Sequence, residues 1–351
     1  AAGGLITTGT YNTLIGSESG DAITTGSQNV AMGKSALGAL TTGDANVALG
    51  YRSMLTAGTG VSDNIAIGRD TLYNTTGDDN VAIGRDAMND NTSGERNVAV
   101  GNYALDANTT ASDNTAVGNH ALGANTTGAG NTALGKDALA RNTTADDNTA
   151  VGYLSLDHCT TGAGNTAIGS EAGTAITTGQ YNTAVGKDCL ETVTTGSDNT
   201  AIGYYALQAN TGGVNTAVGR NAMSHNTSGT RNVGIGAYAL DANTTANDNT
   251  AVGYNSLTDN TTGAANSAFG EASLANNTTA DYNTAVGYQA LFTNTTGGSN
   301  TAVGHNALVN ATTASQNTAI GAEAGDALTS GDLNVAIGKS ALGANTIGDR
   351  N

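Results

Sequence analysis

The sequence contains no proline and no tryptophan, and it has only two phenylalanines. A chain with so few large aromatic side chains cannot build a thick aromatic core. Cationic residues are also scarce, because 12 Lys and Arg stand against 29 Asp and Glu and leave a net charge of -17. This acidic excess argues against nucleic acid and against anionic membranes as partners. No apolar run reaches the roughly 18 residues that a membrane-spanning helix needs, so we expect no membrane insertion.

Cysteine is limited to Cys159 and Cys189. They stand at different positions of the repeating unit described next, and two units separate them. Stacked units would hold the two residues about 10 Å apart along the stacking direction, which is beyond disulfide reach. The sequence therefore predicts two free thiols, and these say little about the cellular compartment.

A seventeen-residue unit, N-T-A-V-G-x-x-A-L-x-x-N-T-T-G-x-x, recurs twenty times from Asn12 onward. Only three steps differ in length, at 18, 16 and 16 residues. Self-similarity at a fixed period predicts a solenoid, which can be one continuous domain of any length. We therefore predict an all-β fold, a parallel β-solenoid resembling a β-roll, with about twenty 17-residue coils. Residues 1–351 form one repeat domain in this interpretation, with a partial coil at 1–11 and twenty coils over 12–350, as a segment of a longer fibre.

The columns of the repeat predict an inside and an outside. Counting from the first Asn, position 5 is Gly in all twenty copies, which indicates a corner that requires positive φ or close backbone approach. Positions 2 and 4 alternate as in a short strand, and we expect their Thr, Val and Ile side chains to point inward. Position 9 is Leu or Met in seventeen copies and predicts a second inward wall. The charged residues all fall in the turn columns.

Position 12 is usually Asn but is elsewhere Ile, Leu, Val or Cys, which predicts a buried column of stacked amides. Nine of these asparagines begin an Asn-x-Ser/Thr triplet, among them Asn91, Asn142 and Asn277, and Asn74 begins a tenth one position earlier in its coil. The alternative interpretation is that they are exposed acceptors for N-glycans. Glycans found on several of them would contradict the buried column.

Position 3 is Ala in eighteen copies, although the strand alternation predicts that it faces away from its own core. A column that stays small and apolar on an outer face indicates close packing against another chain, and the alternative is a tight wall within one chain. Association of several chains, with three as the expected number, would also supply buried area that a thin single solenoid lacks. The candidate interchain residues are Ala31, Ala48, Ala82, Ala99, Ala116 and Ala133.

The search for chemistry finds no catalytic constellation, cofactor site or metal site. The four histidines, His120, His158, His225 and His305, stand in well-separated coils. An outward column at position 6 holds tyrosines that could stack on the sugars of a cell-surface glycan receptor, or could simply cover a turn. These candidate surface-contact residues are Tyr51, Tyr153, Tyr204, Tyr254 and Tyr288.

Two motifs carry a family resemblance. The segments N-V-A-I-G at 80–84 and 334–338 resemble the head repeats of YadA-like trimeric autotransporter adhesins, and units with N-T-T-G, such as 283–300, look like arrays in phage tail-fibre proteins. The resemblance covers essentially every coil and implies a trimeric β-solenoid shaft for attachment and reach. The seventeen-residue coil is longer than the typical adhesin head repeat, and neither an anchor nor a chaperone domain follows it in this segment.

We therefore expect a structural, non-enzymatic protein, the shaft of an extracellular, cell-surface or virion fibre that associates with itself as a homotrimer or filament. The alternative is an ice-binding or glycan-binding solenoid, motivated by the nearly regular Thr at position 13. A polysaccharide lyase or hydrolase on a β-helix would require inserted loops with clustered carboxylates, and the array contains none.

Overall fold

The computed structural model describes residues 2–351 and shows short parallel strands joined by turns, with no helix in that range. The chain divides into two compact units, Ala1–Thr178 and Gly179–Asn351, here called the N-terminal and the C-terminal unit. Each unit contains ten strands of three residues, one strand in every coil. The predicted all-β solenoid with coils of about seventeen residues is confirmed. Within residues 2–351 there is also no helix of the length and hydropathy required to span a membrane.

Every strand occupies positions 2 to 4 of its coil. The strands of the N-terminal unit are β1 (Thr13–Ile15), β2 (Val30–Met32), β3 (Val47–Leu49), β4 (Ile65–Ile67), β5 (Val81–Ile83), β6 (Val98–Val100), β7 (Thr115–Val117), β8 (Thr132–Leu134), β9 (Thr149–Val151) and β10 (Thr166–Ile168). Those of the C-terminal unit are β11 (Thr183–Val185), β12 (Thr200–Ile202), β13 (Thr216–Val218), β14 (Val233–Ile235), β15 (Thr250–Val252), β16 (Ser267–Phe269), β17 (Thr284–Val286), β18 (Thr301–Val303), β19 (Thr318–Ile320) and β20 (Val335–Ile337).

Inside each unit, consecutive strands pair in parallel and in register. Ala133 of β8 lies opposite Ala116 of β7 on one side and Ala150 of β9 on the other. Equal residues of the repeat therefore stack directly above one another, so each repeat position becomes a straight column of side chains.

The glycine at position 5 ends each strand for a backbone reason, as the sequence predicts. Gly118 has φ +143°, a backbone angle that residues other than glycine rarely adopt. A Cβ atom at Gly118 would lie 2.2 Å from the carbonyl oxygen of Gly135 in the next coil. Close stacking of coils and the turn of the chain both require glycine at this corner.

The predicted direction of the strand side chains is wrong. In β8 the middle residue, Ala133, is completely buried, whereas Leu134 beside it is 48% exposed. The same pattern recurs in the other strands, with a buried residue at position 3 and partly or fully exposed residues at positions 2 and 4, except that Leu14 of β1 is only partly buried. Strand alternation fixes which residues share a side. It does not decide which side is the interior, and here the interior takes the smaller residue.

The expectation that the alanine column meets another chain is therefore corrected. The candidate interchain residues Ala31, Ala48, Ala82, Ala99, Ala116 and Ala133 are all 0% exposed within their own chain. Their column faces the position-9 wall, because a Cβ atom at Gly234, which replaces Ala in its coil, would lie 3.1 Å from Cγ of Met223. The alternative, a tight wall within one chain, is correct, since a methyl group is all that fits opposite Leu or Met.

The position-9 wall itself is confirmed, with Leu105 and Leu139 completely buried. Three coils have Gly there instead, and in two of them position 12 fills the space. A Cβ atom at Gly20 would lie 2.9 Å from Cδ1 of Ile23, and one at Gly173 would lie 3.1 Å from Cδ1 of Ile176. Volume lost from one wall is thus returned from another, as volume-conserving cores require.

Two columns of buried asparagine complete the interior. At position 1, Asn97 donates from its backbone N–H to Oδ1 of Asn80 (3.0 Å), and its Nδ2 donates to the Ala111 carbonyl (2.9 Å). At position 12, Nδ2 of Asn125 donates to Oδ1 of Asn108 (3.1 Å) and to the Gly128 carbonyl (2.9 Å). These amides are paired within their own coil and with a neighbouring coil, as burial of a polar group demands, whereas Oδ1 of Asn294, where the next coil has Ala311 at position 12, has no partner. The predicted amide column is confirmed.

One of the ten Asn-x-Ser/Thr asparagines departs from this pattern. Nine are completely buried, but Asn74 is exposed and Thr75 occupies the buried place instead. The coil that begins at Asn64 has only 16 residues, so its Asn falls one position early. In the folded chain, Asn74 is consequently the only one of the ten that an enzyme could reach.

Candidate functional surfaces

The outer side of the strands forms a surface that we call the sheet face, made of positions 2 and 4 of every coil. Position 4 is apolar in all twenty coils, position 2 is Thr, Ser, Val or Ile, and neither position carries a charged residue. Ten of the twenty position-4 side chains are more than a third exposed: Ile15, Met32, Leu134, Ile168, Ile202, Ile235, Phe269, Val286, Ile320 and Ile337. The other ten are partly exposed, so each unit has an apolar strip on its surface that is at least partly exposed in every coil.

The tyrosines proposed for surface contact lie at the corner that follows position 5. Tyr51, Tyr153, Tyr204, Tyr254 and Tyr288 are each between 42% and 51% exposed, so their predicted outward direction is confirmed. Cations cover the rings of three. The Arg52 guanidinium carbon lies 5.0 Å from the Tyr51 ring centre, Lys136 Nζ 5.3 Å from that of Tyr153, and Lys187 Nζ 6.0 Å from that of Tyr204. These distances are those of cation–π pairs.

The other two tyrosines of this group, Tyr254 and Tyr288, have aromatic neighbours. Tyr254 meets Tyr238 edge to face, with ring centres 6.3 Å apart, and Tyr288 stacks on His305 at 5.4 Å. The corner is thus a series of stacked rings and cations, and none of the five tyrosines is an isolated platform. Their predicted contact with a receptor stays a prediction.

The thiols are free and buried, as predicted. Burial raises the pKa of Cys159 to about 11 and that of Cys189 to about 12. A thiol with such a pKa holds almost no thiolate at neutral pH, so neither group is a nucleophile or a soft metal ligand in the folded chain.

The position-13 threonines, on which the ice-binding alternative rests, use their hydroxyl protons within the chain. Oγ1 of Thr109 donates to the Thr126 carbonyl (3.0 Å), and Oγ1 of Thr126 donates to the Thr143 carbonyl (2.9 Å). The column thus ties coil to coil. Hydroxyls engaged in this way are poorly placed to order an external water lattice.

A groove runs between positions 7 and 10 on the side of the coil away from the sheet face. In the N-terminal unit it widens into a recess of about 540 Å³, which we call the notch. Its floor is Gly123 and Ala140, the small position-10 residues of two consecutive coils, and the flanking coils place Asp106 and Asp157 at the same position. The other side chains that matter at its rim are His120, Asp137 and Arg141.

Burial sets the electrostatics of the notch. Loss of water around Asp106 and Asp157 raises the pKa of both carboxyl groups above the usual value for Asp. Arg141 Nε lies 3.8 Å from Oδ2 of Asp157, which is an ion pair but too long for a hydrogen bond. Sequence reasoning missed this site because it compared whole columns, whereas the signal is a run of Asp, Gly, Ala and Asp along position 10 of four successive coils.

No protein-family model and no curated protein matches this chain. The parallel β-solenoid is established by the coordinates, and the adhesin or tail-fibre identity suggested by its motifs stays a prediction.

Proposed function

We propose that this chain is the structural shaft of an extracellular, cell-surface or virion fibre, which serves attachment and reach and catalyses nothing. Copies of the chain associate through their sheet faces, as a homotrimer that can extend into a filament. The observation that carries the proposal is the apolar strip at position 4, which the chain leaves in contact with water along both units.

The size of the strip supports an interface. Ten strands at a spacing of about 4.8 Å give each unit a strip of very roughly 500 Å². This is in the upper part of the range of about 300–600 Å² for the largest apolar patch on an ordinary monomer, and such patches are often functional. A standard protein interface buries about 800 Å² on each partner, so the strip of one unit can supply more than half of that area.

Charge supports the same surface. With a net charge of -17, two copies repel each other, and bringing their turn columns together would place like charges close. Positions 2 and 4 carry no charge in any coil. The sheet face is therefore an apolar part of the surface where copies can meet without that penalty.

Three copies are favoured by the family resemblance and by the shape of the strip. The strip is only one three-residue strand wide. Around a three-fold axis, each strip contacts two neighbours at once, with the position-4 column of one chain against the position-2 column of the next. Such a heterologous contact closes into a ring when the rotation is 120°.

Native mass spectrometry and sedimentation of the whole chain test the proposal. We expect the wild-type protein to be a trimer, and the double variant Leu134→Lys/Phe269→Lys, which puts one charge on the sheet face of each unit, to be a monomer with an unchanged β-sheet circular dichroism spectrum. Tyr153→Lys, at the corner, is the matched control and stays trimeric. A monomeric wild type at micromolar concentration would refute self-association. Clear thermal hysteresis in the same samples would favour ice binding instead.

A further inference from the structure

The notch lies on a different part of the coil from the sheet face and has the form of a binding site. Its floor is small, because position 10 is Gly123 and Ala140 in two successive coils, and in the sequence no other two successive coils both have Gly or Ala there. Asp106 and Asp157 close its two ends, three coils apart, which corresponds to about 14 Å. A volume of about 540 Å³ is within the usual range of ligand sites.

The carboxylate of Asp157 is mostly buried, and its contacts to basic side chains are too long for hydrogen bonds. The residue is 7% exposed, and its carboxylate accepts no hydrogen bond from any of residues 2–351. Its nearest basic neighbours, Arg141 Nε and His158 Nδ1, lie 3.8 and 3.6 Å away. A buried carboxylate without hydrogen bonds is costly. A ligand that brings N–H or O–H donors into the notch would remove that cost.

The opposite end of the notch presents a second carboxylate. Oδ1 of Asp106 would lie only 3.4 Å from a Cβ atom at Gly123, so this carboxylate borders the open floor. The Asp106 carboxyl group is partly buried, and its pKa is raised mainly by loss of water. Both ends of the notch therefore offer acceptors to the same bound molecule.

The rim adds donors and a flat surface. The guanidinium of Arg141 is more than half exposed and has N–H groups to spare, and the His120 ring is held in place by stacking on Tyr103 with ring centres 4.8 Å apart. Acceptors, donors and a small apolar floor together match the hydroxyls and the C–H face of a sugar ring, because each hydroxyl both donates and accepts. The excess of carboxylates disfavours an acidic sugar and favours one that carries an amine.

We propose that the notch binds a linear saccharide of amine-bearing units, a hexosamine chain, lying along the groove with amino groups directed at Asp106 and Asp157. The site rests on the attachment role proposed above, but it does not depend on self-association. It gives the fibre a ligand of defined chemistry on the side of the coil away from the interface between chains.

Isothermal titration of the whole chain with a glucosamine tetrasaccharide tests the site. We expect one saturable site per chain with a Kd at or below about 1 mM. Gly123→Gln, which fills the floor with a residue that position 10 already carries at Gln208, should abolish binding, and Asp157→Asn should weaken it at least tenfold. Thr258→Gln, at position 10 of a coil in the C-terminal unit, is the matched control and should bind as the wild type does. Circular dichroism checks that each variant is folded.

Three further ligands decide the chemistry. The N-acetylated tetrasaccharide, whose amines are blocked, should bind at least tenfold more weakly, and a galacturonate tetrasaccharide should show no saturable binding. Equal affinity for spermidine and for the amino sugar would show a general cation site and overturn the saccharide assignment. No binding of the glucosamine tetrasaccharide would also overturn it. Native mass spectrometry of the same samples gives the number of associated chains, so that a failure of saccharide binding can be told apart from a failure of the proposed self-association.

Discussion

Ala133 and Leu134 are neighbours in one strand, yet the smaller residue is completely buried and the larger is 48% exposed. In most sheets with one wet face, the larger apolar residues point into the core. The reversal follows from the width of the coil, because the strand faces a wall of Leu or Met at close range and leaves room only for a methyl group. The interior of this strand thus takes the smaller apolar residue, and the larger one remains on the surface.

The largest effect is expected from charging the two sides of β8 in turn. Ala133→Glu places a carboxylate against the position-9 wall without a partner, and we expect the free energy of unfolding to fall by about 4 kcal/mol or more. Leu134→Glu, on the exposed side of the same strand, should lower the stability of the dissociated chain by less than about 1 kcal/mol, because its further cost falls on association through the sheet face. Urea unfolding followed by circular dichroism measures both, at a protein concentration where native mass spectrometry shows only monomer. Equal losses would show that the two sides are not different environments.

The second-largest effect is expected from creating a cavity in the position-9 wall, opposite β8. Leu139 is completely buried. Leu139→Ala should lower the free energy of unfolding by about 2–5 kcal/mol, because it removes buried methyl groups and leaves a void that the stacked coils cannot close. The same change at the surface of the chain, Leu134→Ala, is the control and should cost under about 1 kcal/mol when both variants are compared as monomers. The prediction fails if the surface variant is the less stable of the two in thermal and urea unfolding.

The amide column should show a smaller effect. Asn125→Leu keeps the side-chain volume but removes the donor to the Gly128 carbonyl and the acceptor for Asn142. We expect a loss of about 1–3 kcal/mol in the free energy of unfolding, the usual cost of leaving buried polar groups unpaired. Cys159→Val, at the same position of a coil that has no amide there, should change stability by less than about 1.5 kcal/mol. Urea midpoints of the two variants would be indistinguishable if the amide pairing contributed nothing.

The smallest effect is expected at position 2. Thr132→Val exchanges residues that this outward column already alternates between, and it should change the free energy of unfolding by no more than about 0.5 kcal/mol. The same valine one residue later, Ala133→Val, overpacks the interior and should cost about 1–3 kcal/mol. Thermal unfolding of the two variants compares the effect of a larger side chain at the two adjacent positions. A larger loss from Thr132→Val would place position 2 in the interior.

Much of the coil could be predicted from residue patterns. The seventeen-residue period predicts the solenoid, and the invariant glycine predicts the corner of each coil. The mixture of Asn with Ile, Leu and Cys at position 12 predicts the buried amide column. The direction of the strand could not be read from hydrophobicity, because alternation defines two sides without ranking them. The constancy of alanine was the informative signal. It marks a limit on size, and that limit comes from the chain's own coil.

The notch could not be predicted in the same way. Asp106 and Asp157 are ordinary members of a variable column, and only their separation by two small residues creates a recess. That relation connects residues 51 positions apart and becomes visible when the coils are stacked. The number of chains is also absent from one sequence, because it depends on how the sheet faces of several copies fit together.

The position-12 amides of the N-terminal unit have one more consequence. Nδ2 of Asn108, Asn125 and Asn142 each donates to Oδ1 of the preceding asparagine, so these side chains all point the same way. Their dipoles add head to tail, as peptide dipoles do in a helix. Each hydrogen bond in such a row polarises the next. This interior row therefore has a polarity along the coil axis that depends on no charged residue, salt does not screen it as it would screen surface charges, and substitution of a central asparagine would divide it into two weaker rows.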